Sequence, residues 1–153
     1  MLSVINRESD IAAELMPEVS NASQGFWDGL RENELRVQQC VSCARYRVPS
    51  APLCPYCGSY ELTWGTSAGD ATVFSWIRYH KVYLSTYSEI PYTVITAELN
   101  EGFRMYGRLL TETGEKSLRR PSIGEAVHAA VEEWSNGYRT IAFVEVGTSE
   151  GVR

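Results

Sequence analysis

The residues best suited to chemistry are four cysteines in two pairs, Cys40-Val41-Ser42-Cys43 and Cys54-Pro55-Tyr56-Cys57, the only cysteines in a chain of 153 residues. Two residues between paired thiols let one tight turn aim both sulfurs at a single ion, and two such turns supply the four thiolates of a closed tetrahedral site. Structural zinc is the expected occupant. A catalytic zinc keeps one coordination position for water, and four cysteines leave none. Iron in a rubredoxin-like electron carrier would use the same ligands, and a colourless preparation containing stoichiometric zinc would exclude it. Disulfides need an oxidising compartment, and nothing in the sequence indicates one. In the second knuckle Pro55 pre-sets a turn and Gly58 tolerates positive φ. Ala44 holds the matching place after the first knuckle, so that turn is expected to be strained or differently shaped.

Three sections must position these ligands. Residues 1–33 form an amino-terminal arm in which Ile11, Leu15 and Met16 recur at helical spacing, Pro17 stops that segment, and a second helix begins near Ser23 with Phe26, Trp27 and Leu30 on one face. That face covers the core of its own domain or docks a partner. Residues 34–65 form the ribbon, whose few apolar residues do not offset the entropy of ordering so short a segment without metal. From residue 66 to 153 every strong signal is a strand bounded by turn residues: Ala71 to Tyr79, Tyr92 to Leu99, Phe103 to Leu110, Ala126 to Glu133 and Thr140 to Val146. Asn100-Glu101-Gly102 and Ser135-Asn136-Gly137 join neighbouring strands as hairpins. Five strands with a longer connection between the third and fourth fit a small OB-type barrel better than a sandwich. The fold expected is mainly β: short amino-terminal helices, a four-cysteine rubredoxin-like zinc ribbon and a carboxy-terminal five-stranded OB-fold barrel.

The amino terminus lacks a long apolar core followed by a small-residue cleavage site, and no apolar run approaches the length of a membrane span. With four reduced thiolates, a cytoplasmic protein with no membrane association is expected. Fourteen basic and nineteen acidic residues give a net charge of −5, which argues against nucleic acid as the default partner, since phosphate affinity is built from clustered Lys and Arg. Basic charge is nonetheless locally present at Arg45, Arg47 and Arg119-Arg120.

In order and spacing, Phe26-Trp27-Asp28-Gly29-Leu30, the run from Glu34 to Cys40, Cys54-Pro55-Tyr56-Cys57-Gly58-Ser59, the run from Ala71 to Trp76, Pro91-Tyr92-Thr93-Val94 and the run from Ile123 to Val127 are similar to one family. Over nearly its full length the chain resembles the family that joins a rubredoxin-like zinc ribbon to an acyl-CoA-associated OB-fold. It departs from the family's pattern at Asn33, where Gly is usual, and at Ala44. The resemblance implies a non-catalytic accessory subunit in a hetero-oligomer with a thiolase-fold enzyme: a thiolase, an acyltransferase or a retro-aldol lyase. The barrel would shelter CoA or acyl-CoA, and the arm and ribbon would dock the partner.

The residues agree with a supporting role. Thiolase chemistry needs a free cysteine nucleophile and a base, whereas all four cysteines here are committed to metal. His80 and His128 read as structural, and Ser75, Ser85 and Thr86 have no histidine and acid at motif spacing. No catalytic residue is therefore assigned. If CoA binds, its phosphates need cations, and Arg78, His80, Lys81, Arg104 and Arg108 are the candidates, set against the plainer reading of a solvated face. The loop from about Arg78 to Ile90, with Tyr79, Tyr83 and Tyr87, is expected to meet ligand or partner. A single-stranded nucleic-acid binder built on the same barrel and ribbon is the alternative; tight, salt-sensitive oligonucleotide binding would favour it.

Overall fold

Apolar residues along the strands after residue 66 give the sheet a face that must be buried, and a sheet closed on itself buries it. The structure, a computed structural model, describes residues 1–16, 18–83 and 89–147. The expected stop at Pro17 and the loop residues Ser85, Thr86 and Tyr87 lie outside them. Strands β1 (Ser3–Asn6), β2 (Leu35–Cys40), β3 (Tyr46–Arg47), β4 (Leu62–Ser67), β5 (Asp70–Tyr79), β6 (Tyr92–Leu99), β7 (Arg104–Leu110), β8 (Ala126–Glu133) and β9 (Arg139–Glu145) are joined by one helix, α1 (Gln24–Arg31), and a 3-10 turn at Ala13–Leu15. In the larger sheet β5, β6, β7, β9 and β8 are successive neighbours and β8 returns to β5, closing the ring. The pair β7–β9 is parallel and the rest of the ring antiparallel. This is the OB-type connectivity anticipated from the sequence.

The inward residues Val73, Ile95, Ala97, Leu99, Met105, Leu109, Val127, Ala129, Val131 and Phe143 fill the barrel. Gly107 lies where a Cβ would stand 2.7 Å from the Phe143 ring, so only glycine lets that ring cross β7. The same core continues through Leu35 and Val37 of β2 and Leu30 of α1. Ribbon and helix therefore share buried surface with the barrel.

The amino-terminal section differs from the expected pair of helices. Beyond His128, β5 no longer accompanies β8, and β1 takes up the freed edge in parallel, from Ser3 opposite Ala130 to Asn6 opposite Glu133. The segment after it is held by the β8–β9 turn: Ser135 donates its amide to the Ser9 carbonyl and Asn136 Nδ2 to the Ile11 carbonyl. Helix α1 begins at Gln24, and Phe26 and Trp27 pack on the shared core in an edge-to-face pair 5.0 Å apart. Its end is a Schellman motif, with the Glu34 amide on the Gly29 carbonyl and the Asn33 amide on Leu30. Asn33 adopts φ 61°, a left-handed conformation asparagine tolerates, which accounts for its standing where glycine is usual. Arg139, at the start of β9, donates to the carbonyls of Leu30 and Arg31 and to Asn33 Oδ1, so a cation meets the negative end of the helix.

The entry to β8 is tied by Arg119, whose Nη1 and Nη2 lie 2.9 and 2.6 Å from the two Glu125 oxygens. That guanidinium, helped by the Ser122 amide and opposed by burial, holds the Glu125 carboxyl below its ordinary value of 4.5. A carboxyl lowered in the folded state contributes stability that is present above its unfolded value and lost as pH falls through the folded one. Wild type is thus expected to lose melting temperature more steeply than Arg119→Met as pH drops below about 4.5. Parallel acid profiles of the two proteins would mean that the pair contributes nothing.

Candidate metal centre

Two tight turns carry the four sulfurs. At the end of β2 the Ala44 amide donates to the Cys40 carbonyl, and in the second knuckle the Gly58 amide donates to Cys54, each at 2.9 Å. The hairpin bonds from Cys40 to Arg45 and from Cys54 to Ser59 hold each knuckle, and Ser42 Oγ bonds Ser59 Oγ at 2.9 Å between them. All four sulfurs lie within 4.8 Å of one another, with Cys40 to Cys57 at 3.6 Å and Cys43 to Cys54 at 3.7 Å. A tetrahedral ion with bonds of about 2.3 Å sets its sulfurs about 3.8 Å apart, so the quartet fits zinc.

Electrostatics point the same way. The amide of Cys43 is the main influence pulling the Cys40 thiol down to about 6. Burial raises Cys54, but the amides of Tyr56 and Cys57 outweigh it and leave that thiol lowered. The Ser59 amide favours the Cys57 thiolate, yet the sulfurs of Cys40, Cys43 and Cys54, with burial, push it up to about 12. Amide donors prepare the first thiolates, and crowding of sulfurs blocks the last. A divalent cation removes that repulsion, and the closed shell it completes offers substrate no coordination position.

The two knuckles solve one backbone problem with different residues. Ala44 has φ 59° and Gly58 φ 74°, both in the left-handed region where a Cβ is unfavourable. Ala44→Gly is therefore expected to stabilise the zinc-loaded protein by about 0.5–1 kcal/mol, and Gly58→Ala to destabilise it by a similar amount. No atom lies within 4 Å of a Cβ built on Gly58, so the second change isolates the backbone effect. Melting temperatures that do not move in opposite directions would refute this.

The cations considered for a phosphate ligand are not brought onto one face. Arg78 pairs with Thr93 and Arg108 with Val94 across β6, and consecutive residues of a strand face opposite ways. Arg78 Nε donates to Thr93 Oγ1 at 2.9 Å and Nη2 to the Arg119 carbonyl at 2.5 Å. Arg104 is paired with Glu98 at 2.5 Å and lies 3.5 Å over the Phe74 ring, at the far end of β7. His80 and Lys81 follow β5, with Lys81 Nζ 5.9 Å from the Tyr83 ring. Arg108 lines a cleft of about 690 Å³ with Arg7, Tyr92, Gly114 and Trp134. Behind these arginines Glu132, 1% exposed, receives Arg7 Nε at 2.7 Å and lies 3.4 Å from Arg108 Nη1. Sequence reasoning did not single out Arg7 or Glu132; an acid inside a strand of alanines and valines is the signal that could have found them. His128 Nδ1 stands 2.9 Å from Asp70 Oδ1, a partnered position. Among the described residues no helix is long and apolar enough to cross a membrane.

Residues 27–63 match the family described as the ChsH2 rubredoxin-like zinc ribbon domain. Among solved structures, the chain is similar to one titled Ltp2-ChsH2(DUF35) aldolase, with TM-score 0.75 and 26% identity over 85% of this chain and 98% of that one. A DUF35-family protein from Sulfolobus solfataricus shares the fold, with TM-score 0.54 and 16% identity over 78% of this chain and 83% of that one. A probable enoyl-CoA hydratase alpha subunit from Thermomonospora curvata is 34% identical over 59% of this chain and 28% of its own length. The 3-oxo-4,17-pregnadiene-20-carboxyl-CoA hydratase alpha subunit of Mycobacterium tuberculosis is 31% identical over 70% of this chain and 34% of its own. The chain thus spans about a third of the length of the curated relatives it matches.

Proposed function

We propose that the chain, whose ribbon matches the ChsH2 zinc ribbon family and whose fold is similar to that of a DUF35 protein, is the accessory subunit of an acyl-CoA-processing complex, with a catalytic partner of the thiolase fold. The observation that carries this reading is its likeness to nearly the whole of a chain from a structure titled Ltp2-ChsH2(DUF35) aldolase. The chemistry of the chain supports it: its four thiols form the metal centre and His128 is engaged by Asp70, so carbon–carbon bond chemistry falls to the partner. In this reading the protein works in the reducing cytoplasm, the helix and ribbon meet the partner, and the barrel lies along the acyl-CoA. Arg108, beside the 690 Å³ cleft, is the cation we assign to the CoA phosphates.

The test is co-expression with a thiolase-fold protein encoded beside it, purification through a tag on this chain, and an assay of acyl-CoA cleavage. A zinc-containing complex whose activity needs both chains is expected, and Arg108→Ala should assemble yet use acyl-CoA less well. Purification of this chain without any partner would overturn the reading. The two relatives named as hydratase alpha subunits favour a second reading, in which the partner is a hydratase. Hydration of an enoyl-CoA by the purified complex, without cleavage, would select it.

A further inference from the structure

Arg47 is 1% exposed, and none of its three guanidinium nitrogens has a hydrogen-bond partner among the described residues. It lies on β3, an edge strand of the ribbon sheet, directly across from Gln38. Gln38 is buried too, and its amide is bonded elsewhere: Nε2 donates to the Ala22 carbonyl at 2.7 Å, and Oε1 accepts from the Ala51 amide at 2.9 Å. Arg36, the other arginine beside the same cavity, is paired with Glu32 and Glu34. A guanidinium keeps its charge inside proteins, so a buried one with no acceptor calls for an anion.

A cavity of about 210 Å³ adjoins Arg47 where helix, ribbon and barrel meet. Its other walls are mainly apolar, from Phe26 and Trp27 of α1, Val37 of β2, Val48 and Pro49 after β3, and Met105 of β7. The volume equals about seven waters of the liquid, too little for a nucleotide and suited to a short acyl body. With the Arg36 guanidinium on the same cavity already neutralised by Glu32 and Glu34, the one unpaired buried fork of N–H donors, over mainly apolar walls, selects a planar, singly charged head on a hydrocarbon tail. We propose that this cavity is a binding site for a small free monocarboxylate with an apolar body, whose carboxylate pairs with Arg47 and whose tail lies between Phe26, Trp27 and Met105.

The zinc-loaded full chain would be titrated calorimetrically with hexanoate, with hexanol as the uncharged counterpart. Saturable binding of hexanoate is expected, with hexanol weaker by about 30-fold, the scale of a charge-assisted hydrogen-bonded pair. Arg47→Met keeps the volume and removes the charge, a change that buried sites commonly tolerate in folding. It should reduce hexanoate binding to the level of hexanol, and Arg47→Lys should recover only part of the difference. Equal binding of acid and alcohol, equal binding by Arg47→Met, or no binding would overturn the proposal. So would a complex that weakens on Arg47→Met while hexanoate neither binds nor competes, since the acceptor would then be a carboxylate of the partner.

Discussion

Chelating the metal, or replacing Cys54 by serine, is expected to unfold more than the ribbon. Structural zinc contributes roughly 10–16 kcal/mol to small ribbon peptides at neutral pH, comparable to or above the 5–15 kcal/mol that holds an ordinary domain together. Cys54 is 1% exposed and its sulfur lies 3.7 Å from Cys43, so loss of this ligand opens the shell from within. The strand that leads to Cys40 also places Leu35 and Val37 in the barrel core, packed with Leu30 of the helix. Releasing the knuckles should therefore loosen β2 and expose core surface beyond residues 34–65. Circular dichroism and tryptophan fluorescence during chelator titration should change together, with one zinc released per chain. Retention of the full barrel signal after zinc loss would show that ribbon and barrel are energetically separate.

The second large effect is expected at Glu132. Its carboxylate is 1% exposed and Oε1 receives Arg7 at 2.7 Å, with Arg108 3.4 Å away and neither arginine more than a fifth exposed. Glu132→Gln keeps the shape and removes the negative charge, leaving two guanidinium groups crowded in a poorly solvated cleft. Breaking one side of a buried ion pair commonly costs about 3–5 kcal/mol, and the partial exposure of both arginines favours the lower end. For a chain of this size about 3 kcal/mol corresponds to a fall in melting temperature of about 10 °C. Arg7 sits just past β1, so the same variant should also weaken the hold of that strand on β8. A melting temperature within about 2 °C of wild type would mean that water, not Glu132, balances the arginines.

Much of the barrel was legible because its signals are local. Tyr92–Leu99 alternates from Thr93 onward, Ala126–Glu133 is a short apolar run bounded by turn residues, and both are observed with the bounds read from the sequence. The turns at Gly102 and Gly137 adopt the positive φ that their Asn-containing loops announce. The metal ligands were legible for the same reason, since each knuckle is a four-residue unit. Illegible features depend on distant partners. Ser3–Asn6 is too short to show alternation, and it becomes a strand only because β8 has an edge free beyond His128. Ile11, Leu15 and Met16 have helical spacing, but turn residues 135 and 136 bond the backbone of Ser9 and Ile11 and only one 3-10 turn forms. Arg78 and Arg108 were both candidates for the same phosphates, whereas pairing with adjacent residues of β6 assigns them to opposite faces. Arg45 and Arg47 are two residues apart, yet one rides over the Tyr56 ring at 4.8 Å and the other is buried. Residue type alone did not distinguish them.

The ring of five strands is sewn unevenly. The meander β5–β6–β7 and the hairpin β8–β9 are each paired along most of their length. They meet through two brief seams of three residue pairs each, Asp70 to Thr72 on one side and Arg108 to Leu110 on the other. The barrel is in effect two valves on short hinges. One valve carries β1 on its edge and, through Arg139, clasps the end of the helix, so the amino-terminal segment is tied to that half of the ring.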